Sequence, residues 1–173
     1  MARIGYPDDS NPEVAALRAQ IIAERGTLHN LYRMLLNSPP VAQGWLNFLT
    51  AIRQKTSIPP ALRELSILRI AVINKADYEF VSHVPFAKKA GLSQQQIDAI
   101  AQWETSSAFS DVQRCVLAYT DSMTRDVHVP DDVFAPVRKN FNDREVTELT
   151  ATIAAYNLVS RLLEALHVDP EPN

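Results

Sequence analysis

The sequence predicts an all-α protein, a single domain over residues 1–173 built from about eight helices. Three observations carry that expectation. Apolar residues recur at intervals of three and four from Val14 to Leu166, the spacing that lines one face of an α-helix. No segment alternates apolar and polar residues for long enough to make a strand. Helix start and stop signals punctuate the chain, and of its four glycines two fall where helices should end. A hydrophobic fraction of 46% in a chain of this length allows a sizeable core.

Met1 to Ser10 reads as an extended lead-in. Asn11-Pro12-Glu13 starts the first helix, with Asn as cap and Pro in the first turn, where no N–H is needed. Val14, Leu17, Ile21 and Ile22 follow at helical spacing up to Gly26. Leu28 to Asn37 is a short second helix with Leu31, Leu35 and Leu36 inward, broken by Pro39-Pro40. Val41 to about Lys55 is the third, with Trp45, Phe48, Leu49 and Ile52 on one side. Ser57-Ile58-Pro59-Pro60 resets the direction and opens a very apolar helix, Ala61 to about Asn74. Lys75-Ala76-Asp77 reads as a tight connection with Asp77 as cap. The next helix runs from Tyr78 to Ala90 and stops at Gly91; Pro85 inside it should bend it just after His83. Ser93-x-x-Gln96 and Ser110-x-x-Gln113 are capping boxes that open helices to about Trp103 and Arg125. Val127 to Val129 is extended. Asp131 starts a short helix to Phe141. Asn142-x-x-Glu145 opens the last helix, to about His167, with Val146, Leu149, Ile153, Tyr156, Leu158, Leu162 and Leu166 as its apolar positions. The two apolar helices near 65–74 and 146–163 are the expected centre of the core, and the tail after His167 is expected to fray.

The composition narrows the function. Charged residues are 21% and the net charge is −3, which gives no electrostatic reason to expect nucleic acid or an anionic membrane as a partner. The longest apolar-rich run, Leu65 to Asn74, contains Ser66 and Arg69 and is too short to span a bilayer. The first residues lack the apolar stretch of a signal peptide. The single cysteine, Cys115, excludes an internal disulfide, a Cys-x-x-Cys redox pair and a cysteine zinc site. A cytoplasmic location fits these features.

Candidate chemistry concentrates in residues 64–83, ELSILRIAVINKADYEFVSH. Glu79 and His83 are four apart, so on a helix they share a face. They can be a plain ion pair, but Tyr78, Phe80, Val81, Val84 and Phe86 surround them with apolar groups. Glu64 can simply complement the helix dipole or pair with Arg63 or Arg69. Half-buried at the start of an apolar helix, it would instead have a raised pKa and carry protons. A histidine bonded to a carboxylate in an apolar setting is an orientable general acid or base. Two acids and one histidine can also hold a divalent metal, though no second histidine supports them and HExxH is absent. His29, His128 and His167 make no ligand spacing and read as surface residues. Cys115 lies on an apolar stripe and reads as a small core residue.

Glu64, eighteen residues and then His83 resembles the core motif of the carboxymuconolactone decarboxylase and alkylhydroperoxidase superfamily. In its peroxidase branch that motif is Glu, eleven residues, Cys-x-x-Cys, three residues, His. Aligned on Glu64 and His83, the cysteine positions fall on Ala76 and Glu79, so both redox thiols are missing. The segment RELSILRIAVINKADYEFVSHVPFAKKAGLSQQQIDAI is similar to a cysteine-free branch whose signature is Tyr-Glu-Trp-x-x-His followed by proline, with Phe80 in place of the Trp. LYRMLLNSPPVAQGWLNFL resembles the N-terminal helices of the family, and LTATIAAYNLVSRLLEAL its closing helix.

The resemblance implies an alkylhydroperoxidase-like helical subunit assembled into trimers or hexamers, with a pocket lined by Glu64, Glu79 and His83 around the core motif at 61–91. It argues against peroxidase activity. It implies a cofactor-free, decarboxylase-like enzyme acting on a small organic acid or lactone, with His83 as proton donor, Glu79 orienting it and Glu64 relaying protons. Tyr78, Arg69 and Arg33 are the candidate substrate contacts, the arginines for an anionic group. The alternatives are a non-catalytic oligomeric binding protein and a Glu/Glu/His metal site; no cofactor and no resident metal is expected.

Overall fold

The computed structural model describes residues 1–8 and 10–171, and among them all regular structure is helical. Nine α-helices follow in order: α1 Pro12–Arg25, α2 Asn30–Leu35, α3 Pro39–Gln54, α4 Pro60–Asn74, α5 Asp77–Lys89, α6 Gln94–Ala99, α7 Asp111–Arg125, α8 Asp131–Asn140 and α9 Asp143–Leu166. A short 3-10 turn, Ile100–Gln102, extends α6. Two compact units result, one from residues 1–55 with the segment from Leu162, the other Thr56–Arg161.

In the first unit, α3 packs on α1 and α2. Asn11 caps α1, its side chain accepting from the Glu13 N–H at 2.9 Å, and Gly26 ends it with φ +81°, a conformation that a Cβ would disfavour. Val14, Leu17 and Ile21 are buried, but Ile22 is exposed, because it lies one position beyond the inward stripe. Pro39 and Pro40 occupy the first turn of α3, so they start that helix as well as ending the one before. Phe48 is exposed; Ala42 and Leu46 fill the α3 stripe with Trp45, Leu49 and Ile52. The tail expected to fray is tied down as far as it is described. Asn30 Nδ2 donates to the carbonyls of Asp169 and Pro170 at 3.1 Å each, and the Tyr6 hydroxyl donates to the Asp169 carboxylate at 3.0 Å.

The second unit is built on α4. Every residue from Glu64 to Ala71 is buried, which fits its nearly unbroken apolar sequence. Its neighbours include α5 and α7. α9 reaches α4 through polar groups: Asn74 Nδ2 donates to Asn157 Oδ1 at 3.1 Å and to Ser160 Oγ at 2.7 Å. On α9, Leu149, Ile153, Tyr156, Val159 and Leu163 are buried and Leu158 is exposed, since an interval of two turns it off the inward stripe.

Both Ser-x-x-Gln capping boxes form, and Asn142 and Glu145 exchange the same pair of bonds at the start of α9. The α4–α5 connection is tighter than expected. Lys75 takes the left-handed conformation at φ +55°, Ala76 is the cap, and Asp77 is already the first residue of α5. Val127 is also left-handed, at φ +64°, so the segment expected to be extended turns there. α5 continues through Pro85; the carbonyl that Pro85 leaves without its helical N–H belongs to the exposed Val81.

Candidate active site

The sequence of α4 leaves Glu64 no solvent face. With both flanks of the helix covered, its carboxylate is 1% exposed and must find partners inside. α5 supplies one. Glu79, His83 and Ala87 recur every four residues and form its buried face, while Val81 and Phe86 point outward. Because α5 packs directly on α4, the buried face of α5 meets Glu64.

The result is a linear arrangement centred on the imidazole. His83 Nδ1 lies 2.7 Å from Glu64 Oε2, and His83 Nε2 lies 3.1 Å from Glu79 Oε1. Glu79 and His83 are 3% and 4% exposed. A neutral imidazole carries one N–H and can satisfy one carboxylate; the imidazolium carries two and satisfies both. The charge balance agrees. Burial alone would push the His83 pKa down, but the Glu79 charge and the bonds to Glu64 and Glu79 outweigh it, and the pKa is raised above 6.5. The protonated ring is therefore the form this site favours, held at each end by a charge-assisted hydrogen bond.

Two aromatic rings complete the setting. Tyr156 of α9 meets the imidazole edge-on with centroids 5.1 Å apart, and Phe86 lies tilted at 5.6 Å. Tyr156 is buried and Phe86 is 44% exposed, so a half-open ring is the outer neighbour of the imidazole. Tyr156 was legible only as an apolar position of the last helix.

Arg63 is the cation beside Glu64. Its Nε lies 3.3 Å from Glu64 Oε1, so Glu64 holds a guanidinium on one oxygen and an imidazole on the other. Adjacent helical residues usually diverge; the length of the arginine side chain lets it fold back. The signal in the sequence was its position next to Glu64.

Of the other expected contacts, Arg69 is engaged outside this cluster. Arg69 donates from Nε and Nη2 to the two oxygens of Asp121, at 2.6 Å each, and from Nη1 to the carbonyls of Ile100 and Ala101. It staples α4 to α7 and the 3-10 turn. Arg33 belongs to the first unit, where it stacks on Tyr6 at 4.5 Å and donates to Asn30. Tyr78 is half-buried on α5, one position from Glu79. Cys115 is partly buried on α7, and burial pushes its thiol pKa up, which disfavours the thiolate.

For a metal the arrangement is unsuitable. The two carboxylates take opposite nitrogens of one ring, so the three groups do not converge on a point. Among the described residues no cluster of three or more His, Cys, Asp or Glu is placed to hold a metal ion. Nor is any helix there long and apolar enough to cross a membrane.

Known proteins resemble this chain in sequence and in fold. Residues 39–122, which contain α4, α5 and all three site groups, match the Carboxymuconolactone decarboxylase family. The uncharacterized protein YnjA of Escherichia coli K12 is 28% identical over 127 residues, covering 72% of this chain and 66% of that protein. A peroxidase-related protein of Silicibacter sp. TM1040 shares the fold with a TM-score of 0.83 at 17% identity, over 98% of this chain and 92% of that one. The debrominase Bmp8, solved with 2,3,4-tribromopyrrole, superposes with a TM-score of 0.81 at 16% identity, over 99% and 94% of the two chains. The family match over residues 39–122 and the shared all-helical fold support the carboxymuconolactone decarboxylase and alkylhydroperoxidase-like superfamily.

Proposed function

We propose that this protein is a cofactor-free acid/base enzyme acting on a small organic acid or lactone, most simply as a decarboxylase. The observation that carries the reading is the buried imidazole held between Glu64 and Glu79 with both nitrogens engaged. Such a ring is charged, oriented and shielded from water, which is what a proton donor to a carbanion needs.

In the proposed reaction the bond to the substrate carboxylate breaks and carbon dioxide leaves. The electron pair passes into the neighbouring double bond and carbonyl, giving a dienolate, so the substrate's own conjugation holds the charge. His83 Nε2–H then gives its proton to the far carbon. Glu79, the more distant of the two carboxylates, must first swing off Nε2 to admit substrate. Glu64 keeps the Nδ1 proton and fixes the ring. The neutral imidazole left behind regains its proton from water. An isomerase would use the same groups, with Glu79 as base.

Thiol peroxidase chemistry is disfavoured because Ala76 and Glu79 stand where the redox cysteines of the peroxidase branch fall. A homo-oligomer in the cytoplasm accompanies this reading, and exposed Val81 and Phe86 on the outer face of α5 fit a subunit contact; light scattering that gave a monomer mass at micromolar concentration would count against it. A second reading is an oligomeric small-molecule-binding protein without turnover. It is favoured by the fact that the three polar groups already satisfy one another. Carbon dioxide release that His83→Ala abolishes supports the first reading; ligand affinity unchanged by that substitution, with no chemistry in either form, supports the second.

A further inference from the structure

We infer that Arg63 anchors an anionic group of the ligand, most simply a carboxylate. This inference rests on the acid/base reading of the Glu64–His83–Glu79 site and adds a binding residue to it. A guanidinium has five N–H donors in a planar fork. In Arg63 only Nε is engaged, by Glu64 Oε1 at 3.3 Å. The two Nη groups, which form the bidentate edge of the fork, have no partner among the described residues. The side chain is nevertheless largely covered, 14% exposed, against 45% for Arg138 and 69% for Arg144, whose ion pairs are open to water.

A largely covered guanidinium with its outer edge unused has a two-pronged set of donors to offer an incoming anion. Helix electrostatics make it more unusual. Arg63 stands in the opening turns of α4, where the partial positive charge of the helix end disfavours a cation and favours an anion. Arg69, by contrast, spends its fork on Asp121 and two carbonyls.

The position relative to the proton donor is also suitable. Glu64 carries Arg63 on Oε1 and His83 on Oε2, so the two cationic groups are one carboxylate apart. The net charge also matters. Glu64, Glu79 and protonated His83 sum to −1, a balance that repels an anion; Arg63 brings the cluster to zero. A ligand carboxylate on the Nη pair would gain two charge-assisted hydrogen bonds.

The test uses the full-length protein and a probe that cannot turn over: a saturated γ-lactone carboxylic acid and its methyl ester, titrated by calorimetry against wild type, Arg63→Ala and Arg63→Lys. The acid should bind wild type more tightly than the ester. Arg63→Ala should weaken acid binding about 10- to 100-fold, the worth of hydrogen bonds to a charged group. Ester binding should stay unchanged, which also shows that the variant is folded. Arg63→Lys should fall between, because it restores the charge without the fork. Acid and ester binding equally, neither binding, or acid affinity unaffected by Arg63→Ala would overturn the assignment. Since the probe does not react, an Arg63-dependent affinity stands even if no decarboxylation is found, and turnover indifferent to Arg63 removes the anchor while leaving the enzyme reading in place.

Discussion

Replacing His83 by alanine should destabilise the protein by an amount that a second substitution can partly restore. The imidazolium is a bonded partner of Glu79, which is 3% exposed, and of Glu64, which keeps Arg63. Removing one member of a buried, hydrogen-bonded charge pair costs about 3–5 kcal/mol, because the remaining charge is left desolvated. Loss of ring packing against Tyr156 and Phe86 adds a cavity term of about 2 kcal/mol, the low end for a core truncation, since half-open Phe86 can settle inward. The sum approaches the total stability of a marginal domain, about 5–15 kcal/mol. Adding Glu79→Gln removes the orphaned charge and leaves the cavity, so the double variant should recover at least half of the loss. Glu64→Gln should recover less, because Arg63 still faces that position. Urea unfolding followed by far-UV circular dichroism, at fixed protein concentration and pH 7, measures all four proteins. A loss below about 1 kcal/mol for His83→Ala, or one that Glu79→Gln does not reduce, would show that the site is not a buried charge network.

Three further outcomes follow from named contacts. The His83 pKa is raised on folding, so its contribution to stability is complete below about 6.5, the ordinary histidine value, and is lost as pH rises through the higher folded-state value; wild type should lose stability across that alkaline window relative to His83→Ala, and parallel urea midpoints from pH 5 to 9 would refute this. Arg69→Ala should cost about 3 kcal/mol in the same unfolding assay, the lower end for a broken buried pair, because Trp103 Nε1 and Arg125 still reach Asp121; Arg69→Lys should lose less, and equal losses would contradict a role for the two-pronged geometry. Glu148 titrates the other way: burial opposes its charge, yet bonds from the Ser57 N–H and hydroxyl at 2.6 Å and from Arg144 hold its pKa at about 2, so its stabilisation is present above pH 4.5 and fades as pH falls toward 2. Glu148→Gln should flatten that acid limb, and an unchanged acid transition would exclude the contact as its source.

The helices were legible because each carries its own local instructions. Asn11, Ser93, Ser110 and Asn142 name their helix starts chemically, and the caps they form need nothing from the rest of the fold. The Glu79–His83 pairing was legible for the same reason, as a spacing of four on one helix. Its junction with Glu64 was suggested by the same stretch, residues 64–83, and the family motif marks the same Glu and His. What escaped the sequence is what long-range packing decides. Phe48 and Leu158 look like core residues and lie outside, because apolar character alone does not give the direction of the inward stripe. Lys75 and Val127 adopt left-handed backbone that their side chains do not advertise. Arg69, read as a spare cation near the site, finds Asp121 fifty-two positions away. Of the two arginines the sequence offered as partners of Glu64, Arg63 is the one that pairs with it.

The most direct test of the acid/base account is carbon dioxide release from a panel of unsaturated lactone acids and β-keto acids, with wild type and His83→Ala side by side. The account predicts release by wild type from at least one substrate and its loss in the variant, with folding confirmed by circular dichroism. Release that persists in folded His83→Ala would contradict the role given to the imidazole, and no release from wild type across the panel would contradict decarboxylation as its chemistry.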